Sequence, residues 1–172
     1  MINKIQEVVL ITTGGTIEKT YDEFDGSLIN RGTSIKNRIL TKMRLPYTNI
    51  LVHPIMSKDS LYMTDDDRKQ IAKTVQEEMS QNHPIVVLHG TDTMSVSAEF
   101  CFQQIKNPTV AVVFTGAMIP MGFDDSDAAQ NVTEALLAAK LLKPGFYISF
   151  HNQIFPLPNV RKNKEKGTFE NF

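Results

Sequence analysis

Val8-Val9-Leu10-Ile11-Thr12-Thr13-Gly14-Gly15-Thr16-Ile17 decides the fold. Its first half is a short apolar run without polar alternation, the mark of a strand buried on both faces, as in a parallel sheet covered by helices. Its second half breaks at Gly14-Gly15, so the backbone turns tightly and delivers a hydroxyl, Thr16, where the strand ends. Working outward, Ile85 to Leu88, Val110 to Phe114 and Phe146 to Phe150 read the same way, and Ile50 to Ile55 makes a weaker fifth strand.

Helical patterns fall between these runs. Over Asp65 to Gln81, Ile71, Ala72, Val75 and Met79 share a face, Thr64 is placed to cap, and three aspartates suit the positive end. A second helix is expected from about Ser95 to Ile105. A third, from about Asp127 to Leu142, groups Val132, Leu136 and Ala139 and stops before Lys143-Pro144-Gly145. Strand alternating with helix implies an α/β fold, a mainly parallel sheet flanked by helices on both faces, in a single domain spanning residues 1–172. Two irregular stretches remain. Residues 18–33 exceed the usual loop of an α/β unit and read as a lid bearing Tyr21, with Gly26 and Gly32 for freedom. Asn152 to Phe172 reads as a solvated basic tail for most of its lysines.

Composition narrows the function. The 172 residues carry 18 basic against 19 acidic side chains, a balance that demands neither nucleic acid nor an anionic membrane as partner. No run approaches membrane-spanning length, no leader pattern precedes Val8, and the single Cys101 sits in the apolar Phe100-Cys101-Phe102, so a reduced, cytoplasmic protein is expected. His53, His83, His89 and His151 are scattered without ligand spacing, so no metal is expected.

In an open α/β sheet, ligands bind beyond the carboxyl ends of the strands. Three turns place chemistry there. The first carries Thr16, a weak nucleophile that needs a neighbouring base; neither phosphate-loop spacing is present. The second, His89-Gly90-Thr91-Asp92-Thr93-Met94, brings another hydroxyl and a carboxylate beside a helix start, whose N–H groups suit an oxyanion. The third, Thr115-Gly116-Ala117-Met118, offers small residues and free backbone groups. Thr16, Thr91 and Asp92 equally suit helix capping, and capping and catalysis are compatible.

Taken in order, Thr13 to Ile17, Gly90 to Met94 and Gly116 to Met118 resemble the T-G-G-T-I, G-T-D-T-M and G-A-M signatures of the bacterial-type L-asparaginases. The resemblance implies an amidohydrolase that converts L-asparagine to L-aspartate and ammonia through a threonine acyl-enzyme, without cofactor. It implies Thr16 as nucleophile, Tyr21 as the lid tyrosine that activates it, Thr91 as second catalytic threonine and Asp92 as the carboxylate holding the substrate ammonium. Ala117 then holds the amide through its backbone, and Gly15 and Gly90 line the pocket. Asn159-Val160-Arg161-Lys162, followed by Phe169, resembles the segment bearing the family's lysine, which makes Lys162 the base beside Thr91, with Lys164 and Lys166 as alternatives. A glutaminase, an amidase for a carrier-bound amide and an idle amino-acid-binding module are the other readings.

Two departures accompany the likeness. Where the family has serine, glutamine and aspartate for the α-carboxylate, this chain has Ser57-Lys58-Asp59, so Lys58 is expected to hold that carboxylate by charge and Asp59 to face the ammonium, while Ser60 reads as an exposed turn. Family members usually carry a second, smaller domain that contributes a carboxylate to a neighbouring subunit. The expectation here is the amino-terminal catalytic domain alone, with a pocket completed by assembly into a homodimer or homotetramer.

Overall fold

The computed structural model describes residues 5–172. The chain opens with β1 (Gln6–Gly14), followed by a 3-10 turn, Thr16–Glu18, and a small hairpin, β2 (Lys19–Tyr21) and β3 (Leu28–Asn30). A one-turn helix α1 (Ile35–Arg38) leads to β4 (Thr48–Lys58), then α2 (Asp65–Met79), β5 (Ile85–Leu88), α3 (Met94–Gln104), β6 (Ala111–Thr115), α4 (Ala128–Leu141) and β7 (Gly145–Phe150). Three short strands close the chain: β8 (Gln153–Pro156), β9 (Val160–Asn163) and β10 (Thr168–Asn171).

The central sheet has the order β4-β1-β5-β6-β7-β8. All neighbours pair in parallel except β7 and β8, which pair antiparallel. Side chains along β1 alternate between two cores, as the pleat demands. Val9 and Ile11 join α2, α3 and the β9–β10 hairpin on one face; Val8 and Leu10 join α1 and α4 on the other. Helices therefore cover both faces, and the continuous apolar runs are explained by burial on two sides. Residue Thr64 does cap α2, in a capping box with Asp67.

The order also fixes where a ligand goes. After β1 the chain crosses to β4 on one side and then returns to β5 on the other, so the strand order reverses at β1 and a crevice opens at its carboxyl end. Thr16 follows β1 and Thr91 follows β5, one on each side of that crevice.

The two irregular stretches are more ordered than expected. Residues 18–33 contain β2 and β3, and the supposed basic tail contains β8, β9 and β10. The last hairpin is held by Val160 and Phe169, both buried, with the Phe169 ring edge-on to Phe150 at 5.1 Å between centroids. Burying a phenylalanine contributes about 1.5–3 kcal/mol, enough to dock a four-residue strand that polar residues dominate.

Candidate active site

Close backbone contact between successive turns builds the site. Gly15 sits at φ 82°, and a Cβ there would lie 2.4 Å from the Gly90 backbone; its N–H donates to the Lys58 carbonyl at 2.9 Å. No other residue fits such a contact. The turn bearing Thr16 is thus locked between the one after β4 and the one bearing Thr91. Thr13 Oγ1 donates to the Leu88 carbonyl at 2.8 Å, and the Met121 N–H donates to the Ile17 carbonyl at 3.1 Å, tying the same turn to β5 and to the loop after β6.

Lys162 reaches this crevice from β9. Its Nζ donates to Thr91 Oγ1 at 2.8 Å and to Asp92 Oδ1 at 2.8 Å, with only 17 % of the side chain exposed. Across the hairpin it stands opposite Phe169, so the buried ring sets the position from which the lysine extends. Lys164 is exposed and Lys166 pairs with Glu170 at 3.8 Å, which leaves Lys162 as the lysine beside Thr91.

His89 underlies the second turn. The ring is wholly buried and its Nδ1 donates to the Gly90 carbonyl at 2.8 Å, a contact that requires the proton on Nδ1. Burial lowers its pKa to about 4, so the ring is neutral and braces the turn. Glu18, two residues beyond Thr16, is also buried; Gly14 N–H donates to its Oε2 at 3.2 Å, and desolvation raises its pKa although hydrogen bonds from Thr33, Gly14 and Ser34 oppose that.

The turn after β4 differs from expectation. Lys58 Nζ lies 2.6 Å from Asp67 Oδ2, so its charge is matched by the start of α2, and what it offers the site is its backbone carbonyl. Asp59 is paired with Lys19 at 2.6 Å and accepts the Leu61 N–H, while Ser57 Oγ accepts the Gly32 N–H. Residue by residue, this trio is already partnered. Ser60, read as an exposed turn, is instead buried, its Oγ has no partner among the described residues, and it packs where a Cβ on Gly90 would be, at 2.5 Å. The legible signal was position: Ser60 follows β4 by two residues and opens the 3-10 turn Ser60–Tyr62, beside the two glycine turns in the sheet.

Tyr21 lies on β2 with 59 % of its surface exposed, and no hydrogen bond joins its hydroxyl to Thr16 among the described residues. Ala117 is buried behind Gly116, which packs so closely on the His89 carbonyl that a Cβ would approach it to 2.3 Å. Among the described residues no cluster of three His, Cys, Asp or Glu side chains has metal-ligand geometry, and no helix is long and apolar enough to cross a membrane.

Fold and site together define the class: a mainly parallel α/β domain whose strand ends carry Thr16 on one turn and, on the turn packed against it, Thr91 and Asp92 joined by Lys162. The chain belongs to the asparaginase family; the family's sequence model, described as asparaginase, N-terminal, matches residues 7–171. It is 30 % identical over 161 residues to an L-asparaginase of Thermococcus kodakarensis, covering 94 % of this chain and 49 % of that protein. The solved structure of the thermostable L-asparaginase from the same organism superposes with a TM-score of 0.86 at 28 % identity, over 96 % of this chain and 51 % of that one. A subunit of the glutamyl-tRNA(Gln) amidotransferase of Methanosphaera stadtmanae is 30 % identical over 139 residues, 80 % of this chain and 32 % of that protein. The chain spans about half the length of the Thermococcus relative.

Proposed function

We propose that this domain hydrolyses the side-chain amide of free L-asparagine to L-aspartate and ammonia. The observation that carries the reading is Lys162 Nζ held 2.8 Å from both Thr91 Oγ1 and Asp92 Oδ1, in the crevice that Thr16 borders. Thr16 Oγ attacks the carboxamide carbon, the C–N bond breaks, and the nitrogen leaves as ammonia with the proton taken from the hydroxyl. The resulting threonine ester is then hydrolysed by water activated through Thr91, with Lys162 as its base. Asp92 holds the substrate ammonium. Ser60, buried and unpartnered, takes over from Lys58 the task of meeting the α-carboxylate, and Gly15 and Gly90 line the pocket. Ala117 accepts the amide N–H on its carbonyl, and Tyr21 activates Thr16 once the β2–β3 hairpin closes. No cofactor enters this chemistry, and a reduced, buried Cys101 suits a cytoplasmic setting.

A second reading, attack on a glutamine amide, is favoured by the likeness to the amidotransferase. The two differ by one methylene between the anchored α-groups and the reacting carbon. A displacement of about 1 Å can cost on the order of 100-fold in rate.

One assay addresses both: ammonia release from L-asparagine and L-glutamine by the wild-type protein, Thr16→Ala and Lys162→Met. Turnover of asparagine well above glutamine is the expected outcome, with kcat lowered about 10³-fold or more in each variant. Thr16→Ala retaining near-normal turnover would remove Thr16 as nucleophile. Comparable kcat/KM for both substrates would favour the second reading.

A further inference from the structure

A partly buried polar cluster that the chemistry above leaves unused holds the Gly116–Ile119 turn. Asp127, at the start of α4, accepts the Met118 N–H on Oδ1 and Oδ2 at 3.0 and 3.1 Å, and the Ile119 N–H on Oδ1 at 3.1 Å. Its Oδ2 also accepts Asn131 Nδ2 at 2.9 Å and His151 Nε2 at 2.8 Å. Asn131 is wholly buried; its Nδ2 donates to the Gly116 carbonyl at 3.0 Å, and its Oδ1 accepts the His151 N–H at 3.1 Å. One carboxylate thereby joins the ends of β6 and β7 to the start of α4. Burial opposes its ionisation, but the hydrogen bonds from Met118, Ile119 and His151 outweigh burial and keep its pKa below the ordinary aspartate value.

Peptide geometry turns this cluster into an aiming device. In a planar trans peptide the C=O and the following N–H point in opposite directions. With the Met118 N–H fixed on Asp127, the Ala117 carbonyl must point away from that carboxylate. With the Gly116 carbonyl fixed on Asn131, the peptide on the other side of Ala117 is fixed as well. No hydrogen bond to the Ala117 carbonyl occurs among the described residues, although the residue is buried. A buried carbonyl with a set direction and no partner is costly unless something binds there.

We propose that Asp127, Asn131 and His151 are positioning residues that aim the Ala117 carbonyl at the N–H of the scissile carboxamide. The inference rests on the amidohydrolase reading above and adds the selectivity it implies. A carbonyl accepts from an amide –NH2 but finds no donor on an ester oxygen. Loosening the turn therefore penalises amide substrates and spares esters.

The test measures kcat/KM for L-asparagine, by ammonia release, and for the β-methyl ester of L-aspartate, by methanol release. Wild type is compared with Asp127→Asn and His151→Asn. Asn suits position 151, where the backbone has φ 46°. It removes the ring donor yet keeps the backbone N–H, so that variant keeps its fold even if Asp127→Asn does not. Asparagine turnover is expected to fall about 10- to 100-fold in Asp127→Asn, and less but in the same sense in His151→Asn, with the ester changed by under about 3-fold. Equal losses on both substrates, or no loss on the amide, overturn the inference while the reading beneath it stands. A wild-type protein that releases neither product overturns both.

Discussion

At the scale of single residues, the site consists of groups whose partners decide what they can do. Lys58 and Asp59 carry charges of the right sign for an amino acid, yet Asp67 and Lys19 already neutralise them; Ser60 carries none and is left unpartnered. Sequence alone could place these residues in the same turn but not reveal which were spent on neighbours, because pairing depends on where α2 and the β2–β3 hairpin pack. Lys162 was legible through the resemblance of Asn159-Val160-Arg161-Lys162 and Phe169 to the family's lysine segment, and the structure adds why it stands where it does: it pairs across the hairpin with the buried Phe169. His89 gives a prediction at this scale. The unfolded chain binds its imidazole proton near pH 6.5, whereas the fold holds the pKa down to about 4, so stability is complete above pH 6.5 and falls as pH drops through that window. The loss approaches about 3 kcal/mol at the lower end. Hydrogen bonds keep Asp59, Asp67 and Asp127 below their usual values, so they titrate beneath the window; Glu18, raised by burial, titrates in the opposite sense. Urea unfolding from pH 4.5 to 7, with His89→Gln as the reference that cancels Glu18, should show the slope in wild type and its loss in the variant. Parallel curves would mean that His89 does not titrate there.

At the scale of elements, the strands buried on both sides and the helices with one buried face were legible and the short strands were not. The runs from Val8, Ile85, Val110 and Phe146 are apolar throughout because two cores claim them, and they emerge as β1, β5, β6 and β7. The strands β2, β3, β9 and β10 have three or four residues each, pair only with one another, and bury one or no side chains per strand, so no period of two is written in them. What makes them strands is docking, which sequence periodicity does not record. The β2–β3 hairpin behaves accordingly in our expectation. It buries little, carries Tyr21 outward, and ends in a tip where Phe24 is almost fully exposed, the profile of a segment with low local stability. For Tyr21 to act on Thr16 the hairpin must move, so saturating L-aspartate should slow amide exchange across residues 19–30 while β5 and β6 stay unchanged. Exchange in the hairpin that ignores ligand would separate Tyr21 from the reaction.

At the scale of the whole molecule, the central sheet has two edge strands, β4 and β8, each paired on one side only among the described residues. The edge strand β4 is long and irregular, while β8 ends the sheet as a short antiparallel strand with its outer edge unpaired among the described residues. Beside that edge, Leu137 and Leu141 of α4 and Ile154 of β8 are 54 %, 73 % and 38 % exposed, lining a shallow hollow of about 270 Å³. Apolar side chains grouped beside an open strand edge are a place where chains associate, and closed two-fold symmetry is the commonest way to do so. We therefore expect a homodimer, with β8 and α4 of one protomer against the same elements of its partner. Light scattering at assay concentration should give twice the chain mass for wild type, and Leu141→Glu should give the single-chain mass, because a carboxylate in a desolvated apolar contact is unpaired. The crevice at the carboxyl ends of β1 and β5 lies inward of β8, beyond β6 and β7, so the same variant also asks whether assembly matters to catalysis. If the pocket must be sheltered from water by a second copy, monomeric Leu141→Glu loses asparagine turnover with its fold intact; a fully active monomer would show that one chain suffices.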